Sequence, residues 1–261
     1  MTLPDSAALA AAGLRLEITD AVATVTLDKP EQRNSQTPTM WRALAQIGAN
    51  LPASIRIVVL KGEGKAFSAG LDRAMFSPEG LPGEQGIPDL INAADDVILG
   101  AIAEFQEGFA WLRDPRFVTI AAVQGYAIGG GFQLALGCDL RVVADDVQFS
   151  MKEPALGIVP DVGGTQPLVE CVGYSRALDI CVTTRFIGAD EAYAIGLANR
   201  VAARDELEST TQALVEEILA INEGAVRETT ALLQGAARVD AESQRLRERQ
   251  AQVRRFHDLR G

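Results

Sequence analysis

The sequence predicts a parallel α/β core followed by an all-helical last third. Three observations carry this. Apolar, β-branched runs recur at residues 22–27, 55–60 and 118–123, and short runs of this kind read as strands of a buried sheet. Segments with apolar residues at helical spacing lie between them, first around Met40, Trp41, Leu44, Ala45 and Ile47, then from Ile91 to Leu112. Strands alternating with helices build parallel sheets. Beyond Thr165 the segments are helical in pattern, and they would cover the core or join subunits.

Taken in order, residues 14–19 and 22–27 alternate well enough for two strands, with Asp20-Ala21 as a tight turn. Asp28-Lys29-Pro30 breaks the pattern. Thr37-Pro38 reads as an N-cap followed by proline in the first helical position. The strand at 55–60 ends in the turn-rich Lys61-Gly62-Glu63-Gly64-Lys65. Residues 76–88 hold three prolines and three glycines and predict a mobile surface loop, or an ordinary connector. Ile91, Ala94, Ile98, Ile102, Phe105, Phe109 and Leu112 predict one helix of about six turns, ended by Asp114-Pro115. Strands are predicted at 140–144 and 147–151. Helices are predicted at 165–172, 175–184, from 189 to Gly196, and at 205–221, 225–234 and 240–258. The last carries five arginines between Arg245 and Arg255 and reads as a surface or intersubunit helix; His257 at its end receives no role.

Composition narrows the function classes. At 261 residues and 48% hydrophobic, the chain is long enough for one large core. No run of 18 apolar residues occurs, which argues against a membrane span. Residues 1–12 contain Asp5 and no basic residue, unlike a secretory signal. Cys138, Cys171 and Cys181 lack metal-ligand spacing, and a single histidine makes a zinc site a poor reading. Sparse, odd cysteines fit a reducing cytoplasm. A net charge of −11 argues against nucleic acid. From Lys29 to Arg73, however, seven basic residues face three acidic ones, so that segment is +4 and the remainder −15. This basic island fits either a small polyanionic ligand or chance clustering on a solvated face.

Two stretches carry possible chemistry at the backbone. Gln124-Gly125-Tyr126-Ala127-Ile128-Gly129-Gly130-Gly131 follows the strand at 118–123 and precedes a buried helix start at Phe132, so it reads as a strand-to-helix turn. Glycines there let a ligand approach the backbone, and helix-start amides without partners attract an anion or a developing oxyanion. The same glycines would also allow close helix–strand packing. Phe132-Gln133 stands where a phosphate loop needs lysine, and the dinucleotide spacing is absent. In Ala66-Phe67-Ser68-Ala69-Gly70-Leu71-Asp72, Gly70 permits an unusual backbone angle, and the next amide could face a cleft.

The third stretch is Lys152 to Thr165, where Glu153 and Asp161 stand eight residues apart among apolar residues, prolines and glycines. A carboxyl held among apolar groups has a raised pKa and can shuttle protons, whereas an exposed one has no such role.

Lys65 to Asp72, Ala121 to Gly131 and Cys138-Asp139-Leu140-Arg141 closely resemble motifs of the crotonase family, which comprises the enoyl-CoA hydratases and isomerases. Residues 30–35 resemble its early loop and 157–168 its post-catalytic loop, so the resemblance covers about residues 14–203 in collinear order. It implies a spiral ββα-superhelix core over 1–203 and a C-terminal helical trimerisation region over 204–261. It also implies a homotrimer or hexamer that binds acyl-CoA thioesters, with coenzyme A as part of the substrate and no separate cofactor or metal. By position, Leu71 N–H and Gly130 N–H correspond to the family's oxyanion hole, and Arg33, Lys65 and Ala69 to its CoA-binding surface.

The sequence departs from that pattern at the acids. Where a typical hydratase carries its first glutamate, this chain has Gln133; the second is present as Glu153, and Asp161 replaces a usual glycine. Lys152-Glu153 with Asp161-Val162-Gly163 resembles the dienoyl-CoA isomerase branch, which has an aspartate in place of Gln133. Three readings follow: a double-bond isomerase, favoured here; a hydratase or other acyl-CoA enzyme using Glu153 alone; and a non-catalytic acyl-CoA binding protein.

Overall fold

A computed structural model describes residues 2–260. After helix α1 (Ser6–Ala11) come strands β1 (Leu14–Thr19) and β2 (Val22–Leu27), joined by a turn at Asp20 with φ 52°. Helix α2 (Pro38–Asn50) starts where expected: the Thr37 hydroxyl accepts from Met40 N–H at 3.3 Å. Its Met40, Trp41, Leu44 and Ile47 are buried, and each fully buried side chain of this size stabilises by roughly 1.5–3 kcal/mol.

Strand β3 (Ile57–Gly62), helices α3 (Ile87–Ile91) and α4 (Asp95–Ala110), and strand β4 (Val118–Val123) follow. The single helix expected from Ile91 to Leu112 is therefore broken. Asn92 caps α3, and Ala94 is extended at φ −71°, ψ 152°. The acidic pair Asp95-Asp96 opens α4, where the helix dipole favours negative charge. Ile91 is 74% exposed, so its periodicity was not that of a core face.

The remaining elements are β5 (Tyr126–Ile128), α5 (Gly130–Gly137), β6 (Leu140–Ala144), β7 (Gln148–Ser150), α6 (Thr165–Val172), α7 (Tyr174–Thr183), α8 (Ala189–Ala194), β8 (Arg200–Ala202), α9 (Leu207–Leu219), α10 (Glu223–Ala236) and α11 (Ala241–Asp258). The glycine turn thus follows a short strand, β5, and does not lead directly from β4 into α5, as the sequence had implied. Strands β5 and β8, three residues each, were too short to leave a period in the sequence.

The main sheet has the order β1-β2-β3-β4-β6-β8; β1 is antiparallel to β2 and every other pair is parallel. A second sheet holds β5 and β7 in parallel. Single bridges extend it on both sides: Gln36 to Leu71, Ser68 to Ala127, and Phe149 to Ile187. From β2 to α6, then, each coil of chain lays one strand in the main sheet, one extended segment in the second layer, and then turns into helix. This is the ββα superhelix expected from the resemblance.

Two cores fill the layers. The larger lies between the sheets and α2, α4 and α5, and includes Leu44, Phe67, Phe132 and Phe149. On the outer face of the main sheet, Leu207, Leu214 and Val215 of α9 cover Ile57, Val59, Ile120, Ala122, Val142 and Ala144. Helices α10 and α11 form a hairpin beyond them, pinned by Arg254–Glu228 at 2.7 Å and by Arg255 Nη2 donating to Asn222 Oδ1 at 2.9 Å. Among the described residues, no helix is long and apolar enough to cross a membrane.

Candidate active site

The two backbone stretches singled out in the sequence lie side by side. Gly70 has φ +80°, and a Cβ there would sit 2.4 Å from Ile128 O and 3.4 Å from Gly130 N. Only glycine fits both the angle and the approach. Gly70 O accepts from Gln36 N at 2.8 Å. That carbonyl shares a trans peptide with Leu71 N–H, so fixing one aims the other in the opposite direction. The glycine turn uses the same device. Gly129 O accepts from Gln133 N at 2.9 Å, as the first bond of α5, which turns Gly130 N–H away from the helix. Among the described residues, neither Leu71 N–H nor Gly130 N–H meets a protein acceptor. Two fixed, unengaged amides on touching loops form a ready site for a developing oxyanion.

The carboxyl stands beside them. Glu153 opens a 3₁₀ turn after β7 and is 7% exposed. Gly129, at φ +53°, gives it room: a Cβ there would lie 3.2 Å from Glu153 Oε1. That oxygen accepts from Gln133 Nε2 at 2.6 Å, whereas Oε2 is buried and has no hydrogen-bond partner among the described residues. Burial pushes the Glu153 carboxyl above the usual range; the nearby charge of Asp161 adds to this, and the Gln133 amide and backbone amides oppose it.

Gln133 itself is pinned. Its Oε1 accepts from Val162 N at 3.2 Å and Gly164 N at 3.1 Å. Two N–H donors on the carbonyl leave its NH₂ facing Glu153, so the amide orients the carboxyl and has no proton to transfer. Asp161 lies on the same loop, which α4 anchors through Gln106 Nε2 donating to Asp161 O at 2.7 Å. Burial also raises its carboxyl, and no hydrogen bond joins it to Glu153. The structure therefore brings Leu71, Gly130, Gln133, Glu153 and Asp161 into one region.

Of the residues expected to contact CoA, Ala69 adjoins Gly70 and bonds to Arg33. Ala69 N donates to Arg33 O at 2.8 Å, and the Arg33 guanidinium sits 6.0 Å from the Tyr126 ring centre. Lys65 is exposed on the loop leading to Ala69. The basic island is less concentrated than the count suggested. Arg42 pairs with Glu104 and Glu84, Lys61 with Glu208, and Arg56 reaches the carbonyls of Leu219 and Ile221. Folding spreads these three over other surfaces. The arginines of α11 are likewise engaged within the chain, Arg245 and Arg249 with Glu242 and Arg247 with Ala231 O.

Sequence reasoning missed the polar residues beneath the site. Asn34 Nδ2 donates to Glu63 O and Ala66 O, and its Oδ1 accepts from Lys29 N, which fixes the loop before Ser68. Trp41 Nε1 donates to Gln36 Oε1, Gln36 Nε2 to Ser68 Oγ, and Ser68 Oγ to Asn34 O. The sequence places Trp41 on a helical face and Ser68 in the stretch 66–72, but gives no sign that Asn34 and Gln36 are buried with them.

Residues 17–260 match the family model described as Enoyl-CoA hydratase/isomerase. A crystal structure of a protein from Thermobifida fusca YX, assigned as an enoyl-CoA hydratase and solved with CoA, superposes with a TM-score of 0.94 at 48% identity, covering 99% of this chain and 98% of that one. The same neighbour solved with acetoacetyl-CoA gives a TM-score of 0.94 at 49% identity, over 98% of this chain and all of that one. The crotonyl-CoA hydratase of Syntrophomonas wolfei is 31% identical over 81% of this chain and 77% of its own. With the ββα superhelix, the paired amides and the matched length agreeing, the chain belongs to the enoyl-CoA hydratase/isomerase family of the crotonase superfamily.

Proposed function

We propose that this enzyme moves a double bond along an acyl-CoA thioester, as an enoyl- or dienoyl-CoA isomerase. One observation carries the reading: of the two positions where a typical family hydratase holds glutamates, one is a pinned amide, Gln133, and the other is Glu153 with a buried, unpartnered oxygen.

The thioester carbonyl would lie between Leu71 N–H and Gly130 N–H. Glu153 Oε2 takes a proton from a carbon of the acyl chain, the two amides hold the resulting enolate, and the proton returns at another carbon. Each oxyanion donor lowers such a barrier by roughly 3–4 kcal/mol. Gln133 holds Oε1, so that Oε2 faces the substrate. Asp161, its carboxyl also raised by burial, is the second proton site for a substrate whose reacting carbons lie farther apart. Coenzyme A enters as part of the substrate, so no separate cofactor is invoked, and Arg33, Lys65 and Ala69 form its rim. The Thermobifida neighbour was solved with CoA and with acetoacetyl-CoA, which supports this class of ligand.

The relatives named as hydratases favour a second reading, in which Glu153 activates water alone. Incubation with 2-enoyl-, 3-enoyl- and dienoyl-CoA separates the two. Isomerisation changes the ultraviolet spectrum at constant mass, and hydration adds the mass of one water. Tight binding of all three thioesters with no turnover would leave a binding protein.

The chain is further expected to assemble as a trimer or hexamer in the cytoplasm, with α10 and α11 at the interface. Exposed Leu233, Phe256 and Leu259 support an interface there. A monomer in sedimentation at micromolar concentration would contradict it.

A further inference from the structure

Gln36 is a fully buried polar residue for which the reaction described above has no use. Its main chain forms a parallel bridge around Leu71: Gln36 N donates to Gly70 O at 2.8 Å, and Gln36 O accepts from Asp72 N at 2.9 Å. Both peptides flanking Leu71 are therefore tied to one residue.

Its side chain reaches the other half of the site. A Cβ on Gly130 would lie 2.8 Å from Gln36 Oε1, so the amide packs directly against the glycine that carries the second N–H. The side chain cannot swing away. Oε1 accepts from Trp41 Nε1 at 3.0 Å, and Nε2 donates to Ser68 Oγ at 3.2 Å. Ser68 Oγ in turn accepts from Gly70 N at 3.2 Å and donates to Asn34 O at 2.8 Å. Ser68 also lines the glycine turn, since a Cβ on Gly131 would lie 2.6 Å from Ser68 O.

We infer that Gln36 is a positioning residue that sets the spacing and tilt of Leu71 N–H and Gly130 N–H, its side chain acting as the spacer between their loops. This rests on the oxyanion-hole reading above. A leucine would fill similar space for folding, but it would leave Trp41 Nε1 without its acceptor and cut the link from position 36 to Ser68 Oγ. Hydrogen-bonded polar groups in a core fix one geometry in a way apolar packing does not. Oxyanion stabilisation depends on that geometry, and a misplacement of about 1 Å can cost on the order of 100-fold in rate.

The test compares wild type, Gln36→Leu and Ser68→Ala. Three quantities are read for each: turnover of the best thioester, affinity for free CoA, and the ultraviolet enolate band of bound acetoacetyl-CoA. Acetoacetyl-CoA enolises without completing a reaction, so at a fixed pH and with Glu153 intact its band reports how well the site holds the enolate oxygen. Gln36→Leu is expected to lower kcat by about 10- to 100-fold, to weaken the enolate band, and to leave CoA affinity within about twofold, since CoA lacks the carbonyl that the amides hold. Ser68→Ala, which cuts the same link, is expected to shift in the same direction. If Gln36→Leu fails to fold, Ser68→Ala decides alone. Folded variants with the wild-type enolate band and kcat would overturn the inference. A wild-type protein that binds acetoacetyl-CoA and shows no enolate band would overturn the oxyanion reading itself, before any variant is made.

Discussion

Gln133 Nε2 donates to Glu153 Oε1 across 2.6 Å in the interior of the protein, while the other carboxyl oxygen of Glu153 has no partner. The amide therefore does two things to the acid. It fixes the side chain's rotation, and it leaves a single carboxyl oxygen unengaged. A glutamate at position 133 could exchange protons with Glu153 or with water; the amide can only hold it still.

Gln133→Glu should convert this arrangement into two carboxyls at hydrogen-bond distance. Two such groups cannot both ionise easily, so they share a proton and titrate as a pair. The acid limb of the pH–rate profile is expected to move to higher pH. Hydration of 2-enoyl-CoA, which uses a second acid, is expected to rise. A variant with an unshifted profile and no gain in hydration would show that position 133 does not control the choice of reaction.

Asp161→Asn should act on Glu153 through charge. The Asp161 carboxylate helps to hold the Glu153 carboxyl up, so its removal lowers the pKa of Glu153. As a base, Glu153 works in its ionised form, and the acid limb should move to lower pH. The loss in kcat should be largest for a dienoyl substrate. Equal losses on 3-enoyl and dienoyl substrates would remove Asp161 from the proton path.

Glu153 also predicts how stability depends on pH. Its folded pKa lies above the ordinary value of 4.5, mainly through burial. The folded state therefore binds more protons than the unfolded state between those two values. Its contribution to stability is full below the unfolded value and is lost as pH rises through the folded one. Glu153→Gln removes this loss. The melting temperature of the variant relative to wild type should rise as pH increases above the ordinary carboxyl value, as seen by calorimetry. A constant difference would mean that Glu153 titrates normally.

The rim can be tested by salt. Arg33 and Lys65 are exposed and close to the Ala69 loop, so their attraction to CoA phosphates should be screened. CoA affinity should weaken as ionic strength rises, and an Arg33→Ala, Lys65→Ala double variant should bind more weakly and with a shallower salt dependence. Unchanged affinity would place the phosphates elsewhere.

What the sequence disclosed depended on how local each signal was. Thr37-Pro38 and the runs at 22–27 and 118–123 act through their own neighbours, and the elements formed there. Residues 129–131 and 153 could be picked out because glycine clusters and a carboxyl in apolar surroundings are unusual in themselves. The break at Asn92 was hidden because Ile91 continues an apolar period that α3 turns towards solvent. The dispersal of the basic island could not be read because partners such as Glu208 and the carbonyls of Leu219 and Ile221 are distant in sequence. Gln36 gives no signal for a related reason: a polar residue in a loop declares no burial until distant parts of the chain close around it.

In the proposed reaction of a 3-enoyl substrate, Glu153 carries the proton while the two amides hold the enolate. Isomerisation of 3-enoyl-CoA, followed by the ultraviolet band of the conjugated product, tests it most directly when wild type and Glu153→Gln are compared and thioester affinity is measured alongside. Wild type should form the conjugated product at constant mass, and Glu153→Gln should bind the thioester but lose turnover by at least about 1000-fold, consistent with removal of a general base and proton donor. Full activity in Glu153→Gln, or a wild-type protein that rapidly hydrates 2-enoyl-CoA and moves no double bond, would contradict it.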